Sequence, residues 1–392
     1  MKIAFELNFT QKLIHSLTLN GWLFFDFQNL DPISVNLLKI KNSSRRWFYF
    51  VPSQGVAVKF VHAAENEILD HLPGKKVVYR GGDELKIELG KVMAGRKKIA
   101  AQYSPFGELP YISRLDAGTF ELLKSLDIGL VSSAHLVQMI NSKWSEGQWN
   151  MHIAAAKELH EIVHKTFRWM KKKMSDHHEV TELTTQAYIL KELSRRGLQT
   201  EFNPVVAAGR NSGIPFYMPD AEHNAAILPG QIIQFYVAAK EKNEQAVYAT
   251  QAWVGYTGHT VPEEMAKVFK ILVTARDEAI LFIQKNLKLK KNITGFEVDE
   301  VIQRIIKSES YHNYYVHRSG YSLGMTLDVE GVTIDSLEVK DSRKIIPQTC
   351  FSLEPALYFA QYGLRTSANV YIAKNGPQTY GNPLQTEILK IL

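Results

Sequence analysis

A single cysteine, Cys350, stands among 392 residues. One thiol closes no internal disulfide, which excludes the cross-linked scaffolds of small secreted proteins and suits a reducing, cytoplasmic setting. Long apolar runs are missing too. Stretches such as Trp22 to Phe25 fall far short of the roughly 20 residues that a membrane-spanning helix needs. An acid interrupts the opening Met1-Lys2-Ile3-Ala4-Phe5-Glu6-Leu7 at once, so neither a signal peptide nor a membrane partner is expected. Charge of one sign is also scarce. The net charge is only +6, and the densest basic run, Arg168 to Lys173, closes a helical pattern. Lysines there complement the helix dipole, and no nucleic-acid partner is expected.

What is present suits a folded globular chain of two domains. Hydrophobic residues make up 45% and charged residues 22%, and the length exceeds what one ordinary core serves. Up to about residue 142 the pattern alternates. A helix from Phe9 to Leu19 leads to the apolar strand Gly21 to Phe25, a helix from Ile33 to Leu38 and the aromatic strand Arg45 to Val51. Strands Val56 to Val61, Lys98 to Gln102 and Ile128 to Val131 then alternate with helices Asp83 to Val92 and Asp116 to Ser125. This predicts an α/β domain with a covered sheet over 1–142. From 143 to 392 two helices (Ser145 to Lys173, Thr181 to Arg196), strands (Pro204 to Ala208, Ile232 to Ala239, Val247 to Gly255), two further helices (Glu263 to Lys285, Thr294 to Ser308) and more strands predict an α+β domain.

Two local motifs carry chemistry. Val316-His317-Arg318-Ser319-Gly320-Tyr321-Ser322-Leu323-Gly324 combines a histidine, an arginine and a tyrosine with two glycines, as a pocket wall or a tight hairpin would. His160-Glu161-Ile162-Val163-His164 satisfies His-Glu-x-x-His, in which two histidines four apart on a helix bind zinc and the glutamate serves as general base. Glu182 could be offered as a third ligand of such a zinc protease. Against it, Leu159, Ile162, Val163, Phe167 and Met170 form the apolar stripe, which leaves the two histidines at its polar margin. Glu182 falls in a first helical turn, where the dipole alone explains a glutamate.

Taken together, the segments resemble the pita-bread family of aminopeptidase P, prolidase and creatinase. In the first domain the likeness rests on Gly21 to Phe27 with Asn29 and Pro32, on Arg45 to Tyr49 and on Gln102 to Pro105. In the second it rests on Asn203 to Gly209, on His317 to Gly320 and on Phe351-Ser352-Leu353-Glu354-Pro355. The resemblance implies a creatinase-like N-terminal α/β domain followed by a pita-bread C-terminal domain, X-prolyl peptidase chemistry and a homodimer. It also implies two divalent metals held by two aspartates, a histidine and two glutamates. Matched position by position, those ligands fall on Tyr236, Thr250, Tyr321, Glu354 and Ser367, so the glutamate at 354 alone is kept. Phe235 to Ala252 contains no aspartate, so no shift of register restores the first pair. Phe216 and Asp328 stand where the resemblance expects two substrate-steadying histidines.

The expectation is thus a cofactor-free and metal-free pocket around Glu354, with Phe216, Tyr217, His317, Asp328 and Arg365 about it and some of the hydroxyls of Tyr236, Thr250, Tyr321 and Ser367 donating to the remaining carboxylate. The function expected is that of a pseudoenzyme binding a peptide or small molecule. Three enzymes are the alternatives. One is a metal-independent, creatinase-like amide or amidine hydrolase using His317 or a proton shared by Asp328 and Glu354. The others are an active X-prolyl aminopeptidase or dipeptidase and the zinc protease of His160 and His164.

Overall fold

The computed structural model describes residues 5–380 and 383–392. The chain divides after Ile140 into two compact units. The fold is of the mixed α/β class that the alternating pattern predicts.

In the first unit, helices α1 (Leu7–Ser16), α2 (Pro32–Leu38), α3 (Gly82–Met93), α4 (Ala117–Ser125) and α5 (Ala134–Asn141) accompany strands β1 (Gly21–Asp26), β2 (Trp47–Pro52), β3 (Val58–His62), β4 (Lys75–Tyr79), β5 (Ile99–Ala101) and β6 (Leu130–Ser132). The six strands form one sheet in the order β4-β3-β2-β1-β5-β6. The aromatic-rich sequences of β1 and β2 sit at its centre because every residue of both is buried, as strands covered on two faces require. Two elements, β4 and α5, lie outside the predicted pattern.

The second unit carries helices α6 (Glu146–Ser175), α7 (Glu182–Arg195), α8 (Glu263–Lys288) and α9 (Gly295–Ser308). Capping boxes start α6 at Ser145 and Gln148 and α9 at Thr294 and Glu297. Each joins a side-chain acceptor to an otherwise unpaired first-turn N–H. Strands β7 (Leu198–Gln199), β8 (Val205–Ala208), β9 (Ile232–Glu241) and β10 (Ala249–Tyr256) precede α8, and β11 (Gly320–Leu323), β12 (Cys350–Leu353), β13 (Ala356–Tyr358), β14 (Gly363–Arg365), β15 (Ala368–Ala373), β16 (Gly376–Tyr380) and β17 (Leu389–Lys390) follow α9. One sheet runs β17-β10-β9-β7 with β8 also on β9, another runs β11-β12-β15-β16, and β13 and β14 form a hairpin.

Strand alternation decides what faces the helices. Phe235, Val237 and Trp253 pack with Leu159, Val163 and Phe167 of α6, so Tyr236, Thr250 and Ala252 point to the other face of the β9–β10 pair. On the second sheet Phe351, Leu353 and Val370 pack with Leu272 of α8 and Ile302 of α9, and the transverse row Tyr321, Ser352, Asn369 takes the opposite face. Polar side chains from two sheets are thereby set against one another inside the unit. No helix among the described residues is long and apolar enough to cross a membrane.

Candidate functional site

Glu354 follows β12 with its backbone N–H donating to Ser319 O at 2.6 Å, and its side chain is buried. Its nearest charged partner is Arg365 at the end of β14, whose Nη1 lies 3.4 Å from Glu354 Oε2. Arg365 Nη2 donates to Tyr358 Oη at 2.6 Å and lies 3.2 Å from His317 Nε2. The same His317 nitrogen lies 2.8 Å from Tyr358 Oη, and Nδ1 lies 2.6 Å from Arg318 O. The carbonyl accepts from Nδ1–H, which leaves Nε2 as the acceptor for the phenol or the guanidinium. Glu354 Oε1 and Arg365 Nε are buried without a hydrogen-bond partner.

Burial raises the Glu354 carboxyl above its ordinary range, opposed by the charge of Arg365 and by the hydroxyls of Ser352 and Tyr321. Burial and the adjacent Arg365 push His317 down to about 3, so its imidazole is neutral at physiological pH. Burial acts to lower the Arg365 guanidinium, yet Tyr358 and Glu354 hold it above its ordinary value.

The four hydroxyl residues are all present on this face, but they serve different partners. Tyr236 Oη and Tyr321 Oη are hydrogen-bonded to each other, and burial followed by the Glu354 charge holds both phenols well above their usual range. Thr250 Oγ1 donates to Asn369 Oδ1 at 3.0 Å, and Asn369 Nδ2 returns a bond to Thr250 O at 2.7 Å. Ser352 Oγ lies 3.0 Å from the same threonine hydroxyl. Ser367 Oγ accepts from the N–H of Ala252 at 2.7 Å. Of the four hydroxyls, that of Tyr321 bears on the Glu354 carboxyl. Those of Thr250 and Ser367 satisfy strand groups where β10 meets β15, and the principal partner of Glu354 is Arg365.

Other predicted pocket residues are distributed differently. Phe216 is 87% exposed, its ring centroid 6.3 Å from that of His317, and so stands at a rim. Tyr217 turns away from this cluster, since its hydroxyl donates to Glu182 Oε2 at 2.5 Å. Glu182 needs a correction as well. Its carboxylate is fully buried and accepts from Ala208 N at 2.6 Å, Ala225 N at 2.8 Å and Asn211 Nδ2 at 3.0 Å besides the phenol. The dipole of α7 is a minor part of that role, and so many donors leave no lone pair for a third zinc ligand. Asp328 pairs with Arg318, so each carboxylate has its own guanidinium and the two do not share a proton. Sequence reasoning missed Tyr358, Ser352 and Asn369. Period-two spacing from Glu354 points to Ser352 and Tyr358, whereas Asn369 depends on strand register.

Among the described residues no group of three or more His, Cys, Asp or Glu is arranged to hold a metal ion. A recess of about 630 Å³ between His177, Pro229 and His259 lies elsewhere on this unit and includes none of the residues above.

Comparison with known proteins gives this geometry a context. The model described as metallopeptidase family M24 matches residues 152–374. An Xaa-Pro dipeptidase of Lactobacillus delbrueckii subsp. lactis is 25% identical over 188 residues, 47% of this chain and 46% of that protein. One from Lactobacillus helveticus is 24% identical over 204 residues, 51% of each. The matched region thus spans about half the length of these relatives. Among solved structures, dipeptidase PepE from Mycobacterium ulcerans superposes with a TM-score of 0.70 at 16% identity, covering 98% of this chain and 96% of that one. Prolidase from Thermococcus sibiricus does so at 0.63 and 18%, covering 98% of each chain.

Proposed function

The chain belongs to metallopeptidase family M24, and from that premise we propose that it is an X-prolyl-peptidase-like protein that binds a peptide or small molecule at Glu354 without dinuclear-metal hydrolysis. The observation that carries this reading is the buried Arg365–Glu354 pair. Two divalent ions need a donor set rich in anionic oxygen and neutral imidazole to offset four positive charges. The resemblance sets Tyr236, Thr250, Tyr321 and Ser367 beside Glu354 at those positions. Phenols held above their usual range and alcohols engaged by the strands do not fit the task. The one carboxylate already faces a permanent cation. Through water activation, then, this donor set offers no route to peptide cleavage.

Binding remains within its means. A guanidinium, three phenols and a neutral imidazole line one polar interior, and the exposed ring of Phe216 supplies apolar area at its rim. A histidine base in place of a metal is not supported, because burial and Arg365 push His317 down to about 3 and Arg365 and Tyr358 hold its ring. The test is to incubate the protein with Xaa-Pro dipeptides and manganese or cobalt, with and without chelator. No turnover is expected, while a thermal-shift screen of proline-containing peptides returns ligands whose effect disappears in Arg365→Met. Hydrolysis that the chelator abolishes would reject the proposal in favour of a working peptidase.

A further inference from the structure

The motif from His160 to His164 plays no part in the centre just described. On α6 the two histidines are one turn apart with ring centroids 4.4 Å from each other. Both are half-buried, while Leu159, Ile162 and Val163 between and beside them fill the core. Opposite them is β10, whose alternation turns Gln251 and Trp253 toward α6 and Thr250 toward Glu354's side. The histidine pair thus sits on the reverse face of the strands that carry Tyr236 and Thr250. The indole of Trp253 stands edge-on to both imidazoles, 5.5 Å from His160 and 4.3 Å from His164 by ring centroids. Gln251 Nε2 lies 3.3 Å from His160 Nδ1, and His164 Nε2 is buried without a hydrogen-bond partner.

We propose that His160 and His164 form a two-imidazole site for a divalent transition-metal ion of the copper, nickel or zinc class, seated on α6 beside Trp253. Side chains four apart on a helix share one face, so two ring nitrogens converge on one ion with no movement of the backbone. Imidazole suits copper, nickel and zinc, and affinities follow the order in which copper exceeds its neighbours and manganese trails. Gln251 is the positioning residue. As placed, its Nε2 donates to His160 Nδ1, and on ligation the amide turns so that its oxygen accepts from Nδ1–H and leaves Nε2 to the ion. Water completes the coordination, since Glu182 is already committed to its own donors.

Trp253 supplies the readout. Copper, nickel, zinc and manganese are titrated into metal-stripped protein while heat and tryptophan fluorescence are followed. One ion per chain is expected, in the order copper, nickel, zinc, with manganese inert. Copper and nickel quench part of the emission of the six tryptophans, chelator restores it, and the bound ion raises the melting temperature. His160→Gln and His164→Gln keep a polar side chain of similar reach, and each lowers affinity at least tenfold. Gln251→Leu lowers it about tenfold. Trp253→Phe keeps the heat and loses most of the quenching. Glu354→Gln changes none of this, which separates the site from the centre. Absence of saturable binding, or its survival in the His160→Gln/His164→Gln double variant, would overturn the proposal.

Discussion

At the scale of single residues, the weight of the centre rests on two buried charges. Breaking a buried ion pair by removing one partner costs about 3–5 kcal/mol, because the survivor is left uncompensated. Arg365→Met and Glu354→Gln should therefore each destabilise the protein in urea unfolding, the second by the fuller amount, since the guanidinium it strands cannot shed its charge whereas a stranded carboxyl can take up a proton. The pH dependence follows from the raised Glu354 carboxyl. Once Arg365 is gone, the protonated form is the one the fold prefers. The stability of Arg365→Met is then full below the unfolded carboxyl range, falls as pH rises through the folded value, and becomes flat when Glu354→Gln is added. His317 has the opposite sign. Its value is depressed to about 3 from 6.5, so the unfolded chain binds the extra proton between those limits. Stability is fully present above 6.5 and is lost toward 3 at up to about 1.4 kcal/mol per pH unit. His317→Gln should remove that slope in acid titrations monitored by circular dichroism, apart from the shares due to His152, which burial lowers to about 4, and to His160 and His164, which burial also lowers.

At the scale of elements, helices declared themselves through period and caps, as Ser145 with Gln148 and Thr294 with Glu297 show. Strands with buried, aromatic sequences were equally legible. β4 was not, because Lys75 and Lys76 are exposed on it and mask the apolar alternation, and α5 is a helix of only eight residues. The polar contacts of the centre were hidden for a different reason. Thr250 meets Asn369 119 positions away, and nothing local in either segment encodes which strand faces which. The same holds for Glu182, whose donors come from a strand and two loops that its own helix does not predict. Glu182→Ala would strand the N–H groups of Ala208 and Ala225. With about 1–3 kcal/mol for each unsatisfied group, and more where the lost acceptor was charged, it should cost at least about 3 kcal/mol. Glu182→Gln, which keeps one acceptor oxygen, should cost less. Gly320 is legible only in hindsight. A Cβ there would lie 2.0 Å from Ser352 O, so Gly320→Ala forces β11 from β12 and should cost about 1–3 kcal/mol as an overpacked contact.

At the scale of the whole molecule, the question is whether the metal-binding architecture of the family was emptied or rebuilt. Thr250, Ser352, Asn369 and Ser367 tie β10 to β12 and to the β15 region by mutual hydrogen bonds, and the Tyr236–Tyr321 bond spans the same two sheets. Under the function proposed above, these hydroxyl pairs supply the cohesion that bound metal ions would otherwise give. Replacing Tyr236 and Thr250 by Asp, Tyr321 by His and Ser367 by Glu in one chain removes that cohesion and adds three buried acids around Glu354. Without metal, like charges in a dry interior repel, and the melting temperature should fall well below that of the parent. With manganese or cobalt, binding to the folded state alone makes the melting temperature climb with metal concentration. The parent chain should show no such climb with manganese. A parent that manganese stabilises, and that loses this response in Glu354→Gln, would mean that the hydroxyl set still holds an ion and that the site was never rebuilt.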